Sequence, residues 1–490
     1  MTVTWPKAVV AAALLGAASA AAFEPLAVPY LMVATVAGYF ALLRRLGDLR
    51  RRSVALTGFV FGLAFMGPLI WWMNAVDRWA WVALVLIEAL FLALITVLLR
   101  TAMRARFWPL WAAAVWTAGE LARGAFPFSG FPWGRLAHAS LDTVFAPWAR
   151  LVALPGTTFV MALTAALLVC ALERRKWLPA ATAIALPLIG LVLPVGIADG
   201  GATKRVALVQ GDTPGDFLQW PRAAIFRLHV AETEKLDEPV DLVIWPENGS
   251  DLDVFTNEYA RTTLQELSAR VGAPILVGAI LDGPTDDTAY NASVVVDADG
   301  PRDEIYLKQN VVPYGEYVPF RRQLGPLVPR FDRDIPRDLV PGDRPGAMRV
   351  AQMSVGNLIC WDVAYDAAVH GAVDLGAQFL AVQTSNASFM DFGRGIQPQQ
   401  QWAISRLRAI ETGRWVTVAS TNGISGAVAP DGAVAQRAPV KRPATIVQEI
   451  RLADGTTPAT RWGGTIAIVL CLMAAAGWAS GAREVRRERR

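Results

Sequence analysis

Long hydrophobic runs constrain this chain more than anything else in it. A helix needs about 20 mostly apolar residues to cross a bilayer core. Candidate spans fall at about 8–22, 27–43, 54–75, 79–99, 107–121, 157–172, 177–197 and 463–481. The first, second, fifth and sixth are short. The first also has the form of a signal peptide: Lys7, an apolar stretch, then the small residues of AASAAAF. Cleavage there would remove one span and leave the orientation of the rest unchanged.

Between the seventh and eighth runs the composition changes to that of an ordinary soluble domain. Over the whole chain 18% of residues are charged, against about 25% in average soluble domains. The expected architecture is therefore a polytopic α-helical membrane protein of about eight spans carrying an α/β domain. Residues 1–199 form a membrane domain of about seven spans, 200–460 the soluble domain, and 461–490 the final span and a basic tail.

Basic clusters orient the spans. Arg44, Arg45, Arg50, Arg51 and Arg52 follow the second; Arg100, Arg104 and Arg106 the fourth. Arg174, Arg175 and Lys176 follow the sixth; Arg483, Arg486, Arg487, Arg489 and Arg490 the last. With eight spans all four clusters lie on one side, which the positive-inside rule makes cytoplasmic. Residues 200–460, and the loop at about 124–156 with its GFPWG segment, are then extracytoplasmic. Glu88 sits mid-span in WVALVLIEALFLALI. It is either a functional ionisable group or a glutamate that holds helices together.

The net charge of +4 is small, and no basic stripe with interleaved aromatics occurs, so nucleic acid is not an expected partner. Cys170 and Cys471 lie in hydrophobic runs, and Cys360, in NLICWD, stands alone in the soluble stretch. That excludes an internal disulfide there and a C-x-x-C motif. His138, His229 and His370 are far apart, so no Cys/His metal site is expected. Nothing signals an assembly surface, and a monomer is expected.

The soluble stretch alternates strand-like runs (RVALVQ, DLVIWP, PILVGAI, NASVVVD, VGNLICW, AQFLAVQTSN, WVTVASTN) with helix-like ones (AAIFRLHVAETEKL, NEYARTTLQELSARVG, QPQQQWAISRLRAIETGR). This predicts a layered α/β domain. The turns VDADG and APDG fit hairpin corners. Chemistry in such domains gathers at strand ends. Glu247, in VIWPENGS, Cys360, and Asn386 occupy such ends, and Lys308, in YLKQNVVPYGEYVPF, follows another extended run.

A thiol attacks an acyl group as thiolate, so it needs a base and a positive neighbour. Glu247 can be the base if burial raises its pKa. Lys308 can stabilise thiolate and oxyanion, and the N–H after Cys360 is a candidate second donor. Glu316, eight residues after Lys308, can orient it. Each residue also has a bland reading. A lone buried cysteine is usually an inert small hydrophobe, and a lysine on a strand edge is usually solvated.

The local sequences carry more weight. VIWPENGS, YLKQNVVPYGEYVPF and LICWDVAYD resemble the three signature segments of the nitrilase (carbon–nitrogen hydrolase) superfamily. The preceding spans, GFPWG in an outer loop, VALVQGD opening the domain and one closing span resemble its membrane-embedded branch, the N-acyltransferases of apolipoproteins. The resemblance implies an αββα sandwich with Glu247 as base, Lys308 as stabiliser and Cys360 as nucleophile, and no cofactor or metal. It implies ping-pong transfer of an acyl chain from a membrane phospholipid, through a thioester on Cys360, to the α-amine of a diacylglyceryl-cysteine on an apolipoprotein. The expected location is the bacterial cytoplasmic membrane.

Trp361 stands where the family has an aromatic, and Asp362 where it has a glutamate. SNASFMDFGRG carries the family's Asn386, with Phe389 and Phe392, and reads either as a mobile lid or as a packed loop. Trp220, in GDFLQW, matches a substrate-contacting tryptophan. Glu411 and Arg414 read as braces. Two other classes stay open at this point: a membrane-tethered amidase acting on a small amide, and a non-catalytic scaffold or transporter.

Overall fold

A computed structural model describes residues 3–47, 49–192, 199–215, 220–325, 328 and 330–488. The chain divides into two compact units, Met1–Val195 with Thr457–Arg490, and Gly196–Thr456.

The first unit is helical: α1 (Trp5–Ala20), α2 (Leu31–Arg45), α3 (Arg51–Leu69), α4 (Arg78–Ala102), α5 (Trp108–Arg123), α6 (Trp148–Arg174), α7 (Trp177–Val192) and a final helix, Pro458–Glu488. Each expected span overlaps a helix, and the end of the seventh, 193–197, lies outside the described residues. Four of these, α3, α4, α6 and the final helix, are long and apolar enough to cross a membrane. α1 and α7 are shorter apolar helices. Local signals set the ends. Asp77 caps α4, accepting from the Trp79 and Ala80 N–H groups at 2.8 and 2.9 Å. α6 begins nine residues before its expected span and breaks at Val152–Ala153, where Ala153 has φ +59°, just before Pro155. α3 meets α4 through Gly58 and Gly62. A Cβ at Gly58 would lie 2.3 Å from the Thr96 Oγ1, and one at Gly62 would lie 2.7 Å from the Ala89 Cα. This small-xxx-small spacing lets two backbones approach where no hydrophobic effect drives helices together.

The second unit is a two-sheet sandwich. Its strands are β1 (Asp199–Gln210), β2 (Leu242–Ile244), β3 (Ile275–Asp282), β4 (Thr288–Asp297), β5 (Gly300–Leu307), β6 (Asp338–Leu339), β7 (Ala347–Val350), β8 (Met353–Ile359), β9 (Phe379–Thr384), β10 (Val416–Ser420), β11 (Gly426–Val428), β12 (Val434–Arg437) and β13 (Ala444–Ala453). One sheet runs β13-β1-β2-β3-β4-β5, with β6 beside β4; the other runs β12-β11-β10-β9-β8-β7. The centres are parallel, β1-β2-β3 and β8-β9-β10, with antiparallel flanks. The turns VDADG and APDG join β4 to β5 and β11 to β12.

Helices α8 (Ala224–Thr233) and α9 (Glu258–Val271) cover the outer face of the first sheet. Asn257 caps α9 at 3.0 Å from the Ala260 N–H. Ala260, Leu264 and Leu267 make one buried stripe against Val243, Trp245, Val277 and Val294. Each fully buried leucine there contributes about 1.5–3 kcal/mol. On β4 the residues Ala292, Val294 and Val296 belong to that core. Period-two alternation turns Asn291 and Ser293 to the other face, toward the second sheet. Ser293 Oγ donates to Gln383 of β9, and Gln383 Nε2 donates to the Trp245 carbonyl at 2.7 Å. These polar bridges lock the stacking of the sheets.

Candidate active site

Three loop segments leave strands at the same end of the sandwich. Glu247 lies three residues after the end of β2, Lys308 follows β5 directly, and Cys360 follows β8 directly. All three are buried.

Lys308 Nζ lies 3.0 Å from Glu247 Oε1 and 2.5 Å from Glu316 Oε1. The ammonium therefore bridges two carboxylates. The Glu247 carboxylate is fixed at both oxygens. Asn291 Nδ2 donates to Oε1 at 2.8 Å, and the Ser385 N–H donates to Oε2 at 2.7 Å. Glu316 Oε2 accepts from the Val312 N–H at 2.7 Å. The turn holding Glu247 sits on Gly278 of β3, where a Cβ would lie 2.1 Å from the Pro246 carbonyl oxygen. Only glycine admits that approach.

Cys360 has φ +52°, a left-handed conformation that costs a non-glycine residue about 1–3 kcal/mol. The strain is held from two sides. In front, Asp362 accepts from the Ile359 N–H at 3.1 Å and the Tyr306 hydroxyl at 2.7 Å through Oδ2. Its Oδ1 accepts from the Asn310 N–H at 3.0 Å and from Asn310 Nδ2 at 2.8 Å. Behind, Arg408 donates to the carbonyls of Val363 and Ala364 at 2.8 and 2.9 Å. Arg408 lies on α14 (Ile396–Thr412), the long helix after the short helices α10 (Arg321–Leu324), α11 (Arg330–Asp334), α12 (Asp366–Asp374) and α13 (Ala387–Asp391). It pairs with Glu411 at 2.5 Å and Asp366 at 2.8 Å.

The electrostatics follow from burial and the three charges. Burial opposes the charge on Lys308, yet Glu247 and Glu316, with Cys360, outweigh it and hold its pKa well above the ordinary lysine value. Burial pushes the Glu316 carboxyl up; Lys308 pulls it down and Glu247 pushes it further up. Burial, and next the Glu247 charge, push the Cys360 thiol up, while Lys308 and a hydrogen bond with Thr384 favour the thiolate. Burial and Glu247 thus favour the thiol form of the sulfur, and Lys308 the thiolate.

The structure brings Glu247, Lys308, Glu316 and Cys360 into one cluster, with Asp362 beside it. Trp361 is buried in the one-turn helix that starts at Cys360. The Asn386 amide is spent inside the domain: Nδ2 donates to Gln397 and Gln401, both at 3.0 Å, and Oδ1 accepts from Ser420 at 2.8 Å. In the SNASFMDFGRG segment, Asp391 pairs with Lys441 at 2.6 Å and Phe392 is exposed. Trp220 is half-buried and donates to the Gly215 carbonyl at 3.0 Å; residues 216–219 of its loop lie outside the described residues. Glu411 holds Arg408 and His370, and Arg414 holds three carbonyls. Among the described residues no cluster fit for a metal ion is present.

Sequence reasoning missed Asn291, Ser385, Tyr306, Asn310 and Arg408. A signal existed for Asn291: it and Ser293 are polar at period two in an otherwise apolar strand.

A thiol, a carboxylate and a lysine at the strand ends of a two-sheet sandwich define a carbon–nitrogen hydrolase type of domain. The carbon–nitrogen hydrolase family model matches residues 205–457, and the model of the apolipoprotein N-acyltransferase N-terminal domain matches residues 15–167. An apolipoprotein N-acyltransferase of Mycolicibacterium smegmatis is 36% identical over 454 residues, covering 85% of this chain and 75% of its own. One from Pseudomonas putida is 28% identical, covering 97% and 96%. A solved amidase of the nitrilase superfamily from Nesterenkonia shares 19% identity at a TM-score of 0.39, covering 53% of this chain and 94% of its own. This chain belongs to the apolipoprotein N-acyltransferase family.

Proposed function

We propose that the protein transfers an acyl chain from a membrane phospholipid to the α-amine of a diacylglyceryl-cysteine at the N-terminus of an apolipoprotein. The observation that carries this reading is the Lys308 ammonium held between Glu247 and Glu316 beside a buried Cys360 thiol, in a chain of this family. Glu247 takes the thiol proton as sulfur attacks the ester carbonyl. The oxyanion that forms is stabilised by Lys308. Collapse expels the glyceryl oxygen, which takes the proton from Glu247 and departs as lysophospholipid. The remaining thioester conserves the acyl group and divides one hard step into two. In the second half the amine attacks the thioester, Glu247 accepts its proton, and sulfur leaves to be reprotonated as the amide forms. Glu316, Asp362 and Trp361 position the lysine and the Cys360 turn, and Asn386 braces the following loop. Trp220 contacts substrate.

Eight spans with the catalytic domain outside the cytoplasmic membrane fit this chemistry, because the donor is a lipid and the acceptor lipid-anchored. The four basic clusters support that topology. A labelled phospholipid and a synthetic diacylglyceryl-cysteine peptide test the reading. Label appearing in the peptide as an amide is the expected result. Release of ammonia from a small amide, with no transfer, would replace it with the amidase reading. Reporter fusions after residue 250 that are active only in the cytoplasm would overturn the topology.

A further inference from the structure

The end of β9 reaches both the nucleophile and the carboxylate beside it. β8 and β9 are parallel, with Ile359 paired to Gln383. The next residues, Cys360 and Thr384, therefore leave their strands side by side, and the Thr384 hydroxyl hydrogen-bonds with the Cys360 sulfur. One residue further on, the Ser385 N–H donates to Glu247 at 2.7 Å.

The Thr384 hydroxyl has a second acceptor. Thr384 is buried, and its Oγ1 lies 3.2 Å from Gln401 Oε1 on α14. That oxygen also accepts from Asn386 Nδ2 at 3.0 Å and from Gln397 Nε2 at 3.2 Å. A carbonyl oxygen has two lone pairs, so the two amides satisfy it without the hydroxyl. Asn386 Nδ2 also lies 3.2 Å from Thr384 Oγ1 and holds it in place. Ser420 fixes the Asn386 amide in turn, at 2.8 Å. The hydroxyl proton can thus turn from Gln401 to the sulfur without leaving a buried acceptor unpaired.

Lys308 has one donor for two charges. An ammonium carries three N–H groups, and Glu247 and Glu316 engage two of them. The third belongs, in the mechanism proposed above, to the oxyanion of the tetrahedral intermediate. The sulfur is charged before it attacks and again when it leaves, and at both moments it needs a donor of its own.

We propose that Thr384 is that donor. A thiol S–H points at Thr384 Oγ1 while the hydroxyl proton rests on Gln401; a thiolate accepts only, and the hydroxyl proton turns to it. The proposal rests on the acyl-transfer reading for the two steps it serves. In the first, Glu247 takes the thiol proton, and the electron pair stays on sulfur against the Thr384 O–H until the C–S bond forms. In the second, the C–S bond breaks, the pair returns to sulfur against the same O–H, and Glu247 gives sulfur the proton it took from the amine. Thr384 keeps its own proton throughout. Hydrogen bonds to a charged acceptor are about twice as strong as neutral ones, so the hydroxyl favours the thiolate.

Alkylation tests this without phospholipid. The full chain in detergent is treated with iodoacetamide from about pH 7 to 9, and the rate at Cys360 is read by peptide mass, separately from Cys170 and Cys471. Thr384→Val, of similar shape, should follow the wild-type pH profile at a rate about three-fold lower: losing one hydrogen bond to a charged group leaves about tenfold less thiolate, and the greater nucleophilicity of a more basic sulfur offsets about half of that logarithmically. Glu247, Lys308 and Glu316, the charged groups that act on this sulfur, are unchanged, so the offset belongs to the hydroxyl. Thr384→Ser should match the wild type and Thr384→Ala should match Thr384→Val; this pair decides the matter if the valine variant does not fold. With labelled phospholipid, Thr384→Val should slow both formation and discharge of the acyl-enzyme. Equal alkylation of the serine and alanine variants, or of wild type and Thr384→Val, would overturn the proposal and make the contact one of packing. A wild type that shows the alkylation pattern yet takes up no acyl chain would overturn the acyl-transfer reading while supporting the Thr384 bond to sulfur.

Discussion

Asp362 accepts both the backbone N–H and the side-chain amide of Asn310, at 3.0 and 2.8 Å. Asn310 is two residues beyond Lys308, and Asp362 two beyond Cys360. This pair of bonds therefore ties the nucleophile's turn to the lysine's segment, across the two sheets. Tyr306, on the same segment, adds a third bond to the same carboxylate.

Removing that tie should loosen both residues at once. Asp362→Ala leaves buried donors on Tyr306, Asn310 and Ile359 unsatisfied, each at a cost of about 1–3 kcal/mol. The expected result is a markedly lower melting temperature and no acyl-enzyme. Asn310→Ala loses one side-chain bond and should retain the fold while slowing acylation. Equal melting temperatures for wild type and Asp362→Ala would contradict the arrangement.

Gly278→Ala tests the seat of Glu247. The new methyl would lie 2.1 Å from the Pro246 oxygen and 2.8 Å from the Glu247 Cα, and overpacking of this kind costs about 1–3 kcal/mol. Glu247 must shift, so acylation should fall far more than stability does. A variant with wild-type acylation would show that the turn has room to spare.

The thiol should titrate in a charge-dependent way. Glu247 raises the Cys360 pKa and Lys308 lowers it. Glu247→Gln should therefore lower the pKa seen by thiolate absorbance, although the base is gone, and Lys308→Met should raise it. The stability consequence has a definite sign. A group whose folded pKa is raised stabilises below its unfolded value, and that stability is lost as pH rises. Above the ordinary thiol value of 9.0 the unfolded chain releases a proton that the folded chain keeps. Stability should fall by up to about 1.4 kcal/mol per pH unit from this thiol. The slope should be shallower in Cys360→Ala; identical slopes would mean that the thiol is not raised.

Glu88 has its partner in Arg123 of α5, at 3.1 Å, with both side chains 2% exposed. Arg123 also donates to the Phe131 carbonyl at 3.1 Å, and Glu120 accepts from the Leu136 N–H at 3.0 Å. The loop after α5 is thus bolted to the helical unit by these buried charges. Breaking one half of such a pair costs about 3–5 kcal/mol. Glu88→Ala should lower thermal stability in detergent by that order, with Glu88→Gln milder. Unaltered unfolding in both would favour a role other than holding helices.

Much of this was legible because the chemistry sits in contiguous segments. Glu247, Lys308 and Cys360 each follow an extended run, and Glu316 lies eight residues from its lysine. The supports were not legible, because they depend on pairing between distant strands. Tyr306 reaches Asp362 only because it stands opposite Ser293 on the inward face of the first sheet. β12, exposed at every residue, and β6, two residues long, have no apolar signal to read. Arg123 lies one helix away from Glu88, and spacing in sequence cannot pair residues on different helices. The early start of α6 was hidden by the break at Ala153.

The central claim is that Cys360 carries the acyl chain. Purified protein in detergent is incubated with phospholipid bearing a labelled acyl chain, and the intact mass is measured for wild type and Cys360→Ala. The account predicts one added acyl mass on the wild type only, removed by neutral hydroxylamine and discharged by a diacylglyceryl-cysteine peptide. An unmodified wild type in the presence of intact phospholipid, or equal modification of Cys360→Ala, would contradict it.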